Sequence, residues 1–589
     1  MKKQPIINCH THIFTADSIP PYLAKTFIPF GLYILFPVGL FVSIARWWFG
    51  SNYSPYKWRF QRWYKVFKRN FYQININFTR LWILKIAKWI VGIIIIFSIF
   101  NSLNADYLSP WLLEKNINTI WLKKIDNWLV QKGILIITES IFLKTVLLII
   151  FLLFFPSGRN FLWFLLRKFS TLFKMLPGKN TIELIKRYIN IVRYARYKYE
   201  KDIFTKLTGQ YPEGTSMIVL PMDMEFMGAG RSPKSYGDQM KELDTLKQSP
   251  RGDQIYPFVF VDPRRKLVGE QKFFEYHIQN GQVILDNECF IKDYIENKRF
   301  SGFKIYPALG YFPFEEALLP LWKYAADNCI PIMTHCIRGT IFYRGSKKKE
   351  WDYHPVFKQS MSTIRDDGSS DEMYEPLLLP QMNAVDVQEI FTHPLNYTCL
   401  LKKELLVELV AASKDPRIKE LFGFNEIEKT ISRDLGHLKI CFAHFGGEDE
   451  WQKFFEKDRD NYANQLIRNP NKGIDFFYTN KVLKKGKLEQ IWRSGDWYSI
   501  ICSLMLQHPN VYADLSYILH DDSLIMPLLR HTLQHGILKK RILYGTDFYV
   551  VRNHKSDKNM LVNIQGGLTE DEFEQIACKN PIEYLKHCD

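Results

Sequence analysis

Apolar and polar positions divide the chain into two unlike regions. Long uncharged apolar runs are confined to residues 26–176, whereas the remainder alternates short apolar stretches with mixed, helix-like ones. In the second region, candidate strands fall at 216–223, 256–262, 300–306, 331–335, 438–444, 511–516 and 541–547. Residues 4–14, which include Ile7-Asn8-Cys9-His10-Thr11-His12, read as one more strand and bring the number to eight. Short strands alternating with helices predict a parallel sheet. Eight of them predict an α/β fold closed into a TIM (β/α)₈ barrel. The links after His335 and His444 are unusually long. In such a barrel they lie at the C-terminal ends of the strands, where they cover and shape a pocket.

The apolar runs sit directly after the first strand. Run 26–45 is uncharged but broken by Pro29 and Pro37, run 89–105 is uncharged, and run 134–156 is interrupted only by Glu139 and Lys144. A helix needs about 20 apolar residues to cross a bilayer core, which the third run supplies and the second only barely. A chain that leaves a barrel and returns to it must cross an even number of times. Segments 46–88 and 157–179 are rich in Lys and Arg, whereas 106–133 is mixed. The positive-inside rule therefore predicts an outward helix near 86–105 and a returning one near 134–156, with the first run re-entrant or interfacial. The expected organisation is a first barrel strand in 1–20, a mainly helical, membrane-associated insert in 21–180 and the rest of the barrel in 181–589. The barrel is expected on the cytoplasmic side of an inner membrane. A buried helical subdomain without lipid is the alternative.

Charge sharpens this picture. The formal net charge is +17. The densest basic stretch holds Arg46, Lys57, Arg59, Arg62, Lys65, Lys68 and Arg69 with no acid among them, interleaved with Trp47, Trp48, Tyr56, Trp58, Phe60, Trp63, Tyr64 and Phe67. Cations mixed with aromatics beside an apolar run suit the headgroup layer of membrane lipid. No nucleic-acid module signature is present, so nucleic acid is not an expected partner. The nine cysteines include no C-x-x-C pair, which speaks against a zinc knuckle or a disulfide framework. The opening residues do not read as a secretory signal. Both points suggest a reducing, cytosolic setting for the soluble part.

Candidate chemistry gathers at strand ends. His10 and His12 are two apart on a strand, so both project to one face. A lone His-x-His is a weak signal. His335 ends the fifth strand, His444 the sixth and Asp547 the eighth, so five polar groups converge on one barrel mouth. The bland alternative is that each separately caps its strand. Three imidazoles and a carboxylate also match what zinc accepts while leaving a position for water.

With Asn8-Cys9-His10-Thr11-His12, Gly302-Phe303-Lys304-Ile305-Tyr306-Pro307, Thr334-His335, Ala443-His444-Phe445-Gly446-Gly447, Tyr512-Ala513-Asp514-Leu515-Ser516 and Tyr544-Gly545-Thr546-Asp547 in this order, the chain resembles the amidohydrolase superfamily. The branch it resembles is the amidohydrolase-related one that includes aminocarboxymuconate semialdehyde decarboxylase. The resemblance covers residues 4–12 and about 216–589. It implies that His10, His12, His335 and Asp547 hold a single divalent metal ion, zinc by preference. It also implies that His444 acts as acid or base beside the metal, with Asp547 sharing in proton transfer. Lys304 reads as a free cation that holds a substrate carboxylate; carboxylated and bridging a second metal, or tied in a structural ion pair, are its alternatives. Arg338 is a further candidate for an anionic substrate. Asp514 reads as structural, His393 in the long fifth loop reads as a lid residue or an ordinary surface histidine, and Glu225 carries no specific signal. The implied activity is that of a metal-dependent hydrolase acting on a small molecule, anionic or amphiphilic. A metal-dependent decarboxylase and a non-catalytic membrane scaffold are the competing readings.

Overall fold

Eight short strands are buried at every position but one, the half-buried Tyr256. They are β1 (Ile7–Thr11), β2 (Ser216–Val219), β3 (Ile255–Val261), β4 (Gly302–Ile305), β5 (Ile332–His335), β6 (Ile440–Ala443), β7 (Val511–Asp514) and β8 (Ile542–Leu543). This computed structural model describes residues 5–28, 31–80, 179–364, 370–456, 462–479, 482–483 and 487–588, with only scattered positions between 81 and 178. Each strand pairs in parallel with the next in chain order. The ring then closes on itself. Cys9 N donates to Tyr544 O at 2.8 Å, Asp547 N to His10 O at 2.9 Å, and Thr11 bridges Phe548 in parallel. The expected barrel is therefore present, and closure leaves its first and last strands no free edge.

Ile7, Cys9, Ile218, Phe258, Met333, Cys441, Tyr512 and Leu543, drawn from seven strands, pack together as an apolar core. Met333 and His335 are two apart on β5, as are Tyr512 and Asp514 on β7, so each pair shares a strand face. The polar members thus stand one layer nearer the C-terminal mouth than the apolar ones. Helices fill the connections, among them Tyr236–Lys247, Leu319–Asp327, Trp497–Gln507 and Asp522–Gln534. The long link after β5 builds a hairpin of Tyr353–Ile364 and Ser370–Leu378.

By contacts the chain divides into two compact units, Met1–Arg46 with Glu183–Asp589, and Trp47–Ile182. Residues 21–46, expected in the insert, thus belong with the barrel. The helix α1 (Val38–Gly50) explains why: Val38, Val42 and Ala45 are buried, and Arg46 forks onto Asp17 at 3.0 and 2.6 Å. Leu32, Ile34, Leu35, Leu40 and Ile44 remain about half exposed or more. Within the second unit, α2 (Arg62–Arg80) exposes Trp63, Phe67 and Phe71, and just before it Arg59 lies 4.2 Å over the Tyr56 ring. Leu32–Ile74 is long and apolar enough to cross a membrane, judged by length and composition among the described residues. The crossings expected near 86–105 and 134–156, and the basic segment 157–179, lie outside the described residues apart from scattered positions.

One cysteine expectation needs correction. Cys329 and Cys588 are joined by a disulfide, with Cα atoms 5.2 Å apart at a sequence separation of 259. The C-terminal tail is brought there by its backbone: Lys439 Nζ donates to Lys586 O at 2.7 Å and Cys588 N to Asn328 O at 3.3 Å. The remaining seven cysteines are buried.

Candidate metal centre

His10 and His12 leave β1 on the same face and turn their Nε2 atoms toward each other at 3.2 Å. Asp547 Oδ1 lies 3.4 Å from His12 Nε2 and 3.9 Å from His10 Nε2. Asp547 reaches this position with φ 60°, a conformation that costs a non-glycine residue energy and marks a spot held by its surroundings. His444, with φ 64°, is held in the same unusual region. Gly545 carries no side chain for a plain reason: a Cβ there would stand 2.9 Å from His10 Cβ.

The hydrogen bonds behind these rings assign their tautomers. Asp514 Oδ2 accepts from His10 Nδ1 at 2.9 Å, and Leu220 O accepts from His12 Nδ1 at 2.8 Å. Both Nε2 atoms are thereby left as lone pairs. Asp514 Oδ1 accepts from His444 N at 3.0 Å, from Ser516 N at 2.9 Å and from the Ser516 hydroxyl in a short contact. With its proton committed to Asp514, Ser516 Oγ accepts from His444 Nδ1 at 2.8 Å. His444 Nε2 is then an acceptor and takes the proton of His335 Nδ1 at 3.2 Å. His335 Nε2 is buried and has no partner. One carboxylate therefore sets, directly or through Ser516 and His444, the tautomers of His10 and His335. Fixing a ligand imidazole through its second nitrogen is the usual way a metal site is prepared.

The donor set fits a cation. Two imidazole lone pairs and a carboxylate facing one another repel unless a positive charge sits among them. Bonds of about 2.0–2.1 Å in a tetrahedral zinc site separate ligand atoms by about 3.3 Å, close to the 3.2 and 3.4 Å found here. His10, His12 and Asp547 offer ligand atoms within 4.8 Å of one another. His335 lies outside that tight set, against His444, with its Nε2 buried and without a hydrogen-bond partner. His10, His444 and Asp514 form a second close trio, but its atoms are those already joined by the hydrogen bonds above.

Burial shapes the charges. It holds His10, His335 and His444 well below the usual imidazole range and lowers His12 to about 3, with Lys304 adding to the effect. The rings are therefore neutral, as ligation requires. Asp547 is pushed up to about 8 by burial, against the pull of Arg187 and Lys304. Lys304 is fully buried with Nζ unpartnered, and burial lowers it to about 8. Two residues on, Tyr306 stacks on His335 with ring centres 3.8 Å apart.

Other candidates fall elsewhere. Arg338 is committed to Glu389 at 2.9 Å and Glu450 at 3.6 Å, so its charge is already answered. Glu225 pairs with Arg265 at 2.7 Å, and His393 is buried against Trp492 with ring centres 4.0 Å apart. Ser516, Tyr306, Arg187 and Arg344 were not anticipated. Ser516 and Tyr306 had a signal, since each lies two residues beyond a strand residue already singled out.

The closed parallel barrel gathers histidines and a carboxylate at its C-terminal mouth, the face where such barrels build their sites. No family model matches the chain, and no curated protein matches it either. Among solved structures it is similar to an amidohydrolase from Burkholderia multivorans with bound HEPES, at 10% identity and a TM-score of 0.31, over 67% of this chain and 91% of that one. It is also similar to an amidohydrolase from Mycobacterium avium subsp. paratuberculosis, at 12% identity and 0.28, over 66% and 74%. A third is 4-oxalomesaconate hydratase from Rhodopseudomonas palustris, at 10% identity and 0.28, over 65% and 80%.

Proposed function

We propose that the protein is a membrane-associated, metal-dependent hydrolase of the amidohydrolase type. The observation that carries this is the pair of Nε2 atoms of His10 and His12, held 3.2 Å apart against Asp547 while both ring protons are committed on Nδ1. His10, His12 and Asp547 would hold the ion, with His335 as the fourth ligand. A divalent ion at such a site acidifies water and polarises a carbonyl or phosphoryl oxygen. Asp547, whose carboxylate faces both imidazoles, is the acid–base group nearest the ion they would hold. His444 is suited to pass a proton toward Asp514 through Ser516. Lys304, buried and unpartnered, is a cation able to hold developing negative charge. The apolar, basic and aromatic stretch 32–74 supports attachment to a lipid surface.

Metal analysis of the full-length, detergent-purified protein tests this. One zinc per chain is expected, lost in His10→Ala and in Asp547→Ala. A folded wild type that takes up no stoichiometric metal from zinc-containing buffer would end the proposal. Two ions per chain would move Lys304 to a carboxylated, bridging role. Hydrolysis rather than loss of carbon dioxide is read from incorporation of solvent oxygen-18 into product.

A further inference from the structure

The helix α3 (Lys179–Tyr194), by which the chain returns to the barrel, lies over the loop that follows Asp547. Asn190 Nδ2 donates to Tyr549 O at 3.1 Å and Val550 O at 3.0 Å, and the Tyr194 and Tyr549 rings lie 4.9 Å apart. From the middle of this helix Arg187 directs Nε onto Thr340 Oγ1 at 3.2 Å. On the same residue, Thr340 O accepts from Arg344 Nη2 at 2.5 Å. The residue before it, Gly339, borders the histidines: a Cβ there would stand 3.8 Å from His335 Nε2 and 4.0 Å from Tyr306 Oη. Two guanidinium groups therefore flank one threonine at the edge of the candidate metal centre.

Arg344 is the more telling of the two. It is 2% exposed, and its Nε and Nη1 are buried without a hydrogen-bond partner. Its other neighbours are the faces of Phe342 at 3.6 Å and Phe27 at 4.7 Å. Among the described residues, no carboxylate lies within ion-pairing distance of Arg344 or Arg187. A buried cation lacking an anion is costly. Burial lowers the Arg344 guanidinium to about 9. The planar donor fork of arginine matches carboxylate and phosphate oxygens in pairs.

We propose that Arg187 and Arg344 form an oxyanion-recognising subsite beside His335, so that the substrate carries a phosphate or carboxylate group. The proposal rests on the histidine–aspartate cluster being the reaction centre. It places a specificity determinant on the helix that ends the insert, outside the stretches that carry the family resemblance. The shared chemistry has two sources: a free oxyanion in solution, or the headgroup of an anionic amphiphile.

The test uses full-length, zinc-loaded protein in neutral detergent, with inorganic phosphate and dihexanoyl phosphatidic acid as probes in titration calorimetry. Zinc content is measured on the same samples. Arg187→Gln should weaken the binding of both probes at least about tenfold, as expected for a lost charge-assisted pair, with zinc content unchanged. Arg187→Lys should recover part of the loss. Arg187 is half-exposed, so its substitution leaves the core untouched; Arg344→Gln serves as a second variant, with thermal melting as its folding control. Tighter binding of the lipid than of phosphate assigns the site to a headgroup, and equal binding to a soluble oxyanion. Wild-type affinity in Arg187→Gln, or no binding of either probe to wild type, overturns the subsite. If the protein lacks zinc yet Arg187-dependent binding persists, the metal reading falls and the subsite stands.

Discussion

Replacing Asp514 by asparagine should disarm the metal centre without touching a ligand. Three donors, His444 N, Ser516 N and the Ser516 hydroxyl, converge on Oδ1. That atom must therefore remain an oxygen, and the new amide nitrogen takes the place of Oδ2. There it faces His10 Nδ1, which lies 2.9 Å from Oδ2 in the native protein. Two N–H donors cannot face each other, so His10 gives up its Nδ1 proton and carries one on Nε2 instead. The lone pair that would bind zinc is then occupied. Losing such a supporting partner typically costs metal affinity 10- to 100-fold, or about 1.4–2.7 kcal/mol. The three bonds to Oδ1 survive, so the fold should persist. Zinc affinity measured by competition with a chromophoric chelator, alongside a thermal melt, decides the matter. An Asp514→Asn variant that melts normally and binds zinc within a factor of two of wild type would refute the tautomer assignment.

Two further outcomes follow from the barrel's periphery. Glu200 is 1% exposed and is raised to about 8 by burial, although Lys234 Nζ lies 3.1 Å away. A carboxyl raised in this way favours the folded state fully below its unfolded pKa of about 4.5, and that contribution is lost as pH rises through about 8. Urea midpoints should therefore fall between pH 5 and 8.5 in wild type and fall less in Glu200→Gln; equal slopes would count against the assignment. Cys588→Ser, or reduction of the native protein, should lower the apparent Tm by several degrees, in keeping with about 2–4 kcal/mol for a typical bridge. No change on reduction would mean that the hydrogen bonds to Lys439 and Asn328 alone hold the tail.

All eight strands could be read from the chain because each is a short run that the barrel buries on both faces, and such runs stand out between helices. Their ends could not. The eighth shrinks to Ile542–Leu543 because Gly545, Thr546 and Asp547 leave the ladder to curl over the mouth, where Asp547 needs a positive φ. His10, His12 and Asp547 were legible because strand ends deliver side chains to one place. Arg187 and Arg344 were not, since a helix after the insert and a loop after β5 reach the mouth only through tertiary packing. Arg338, nearer His335 in sequence, was the natural guess, yet Glu389 and Glu450 claim it. The Cys329–Cys588 pair left no signal either, because residues 259 apart share no local pattern.

The placement of β1 has a bearing on how the protein matures. This strand supplies two of the histidines, yet both its neighbours in the ring come from distant parts of the polypeptide: His12 meets Leu220 across 208 residues and Asn8 meets Thr546 across 538. Contacts of such separation form late. On this reasoning the amino-terminal strand is expected to enter the ring as its final stave. Until it does, the centre lacks two of the three nitrogen ligands proposed for it, so an ion that binds there rewards only the finished molecule. Zinc uptake during synthesis would then serve as a clock for completion of the barrel.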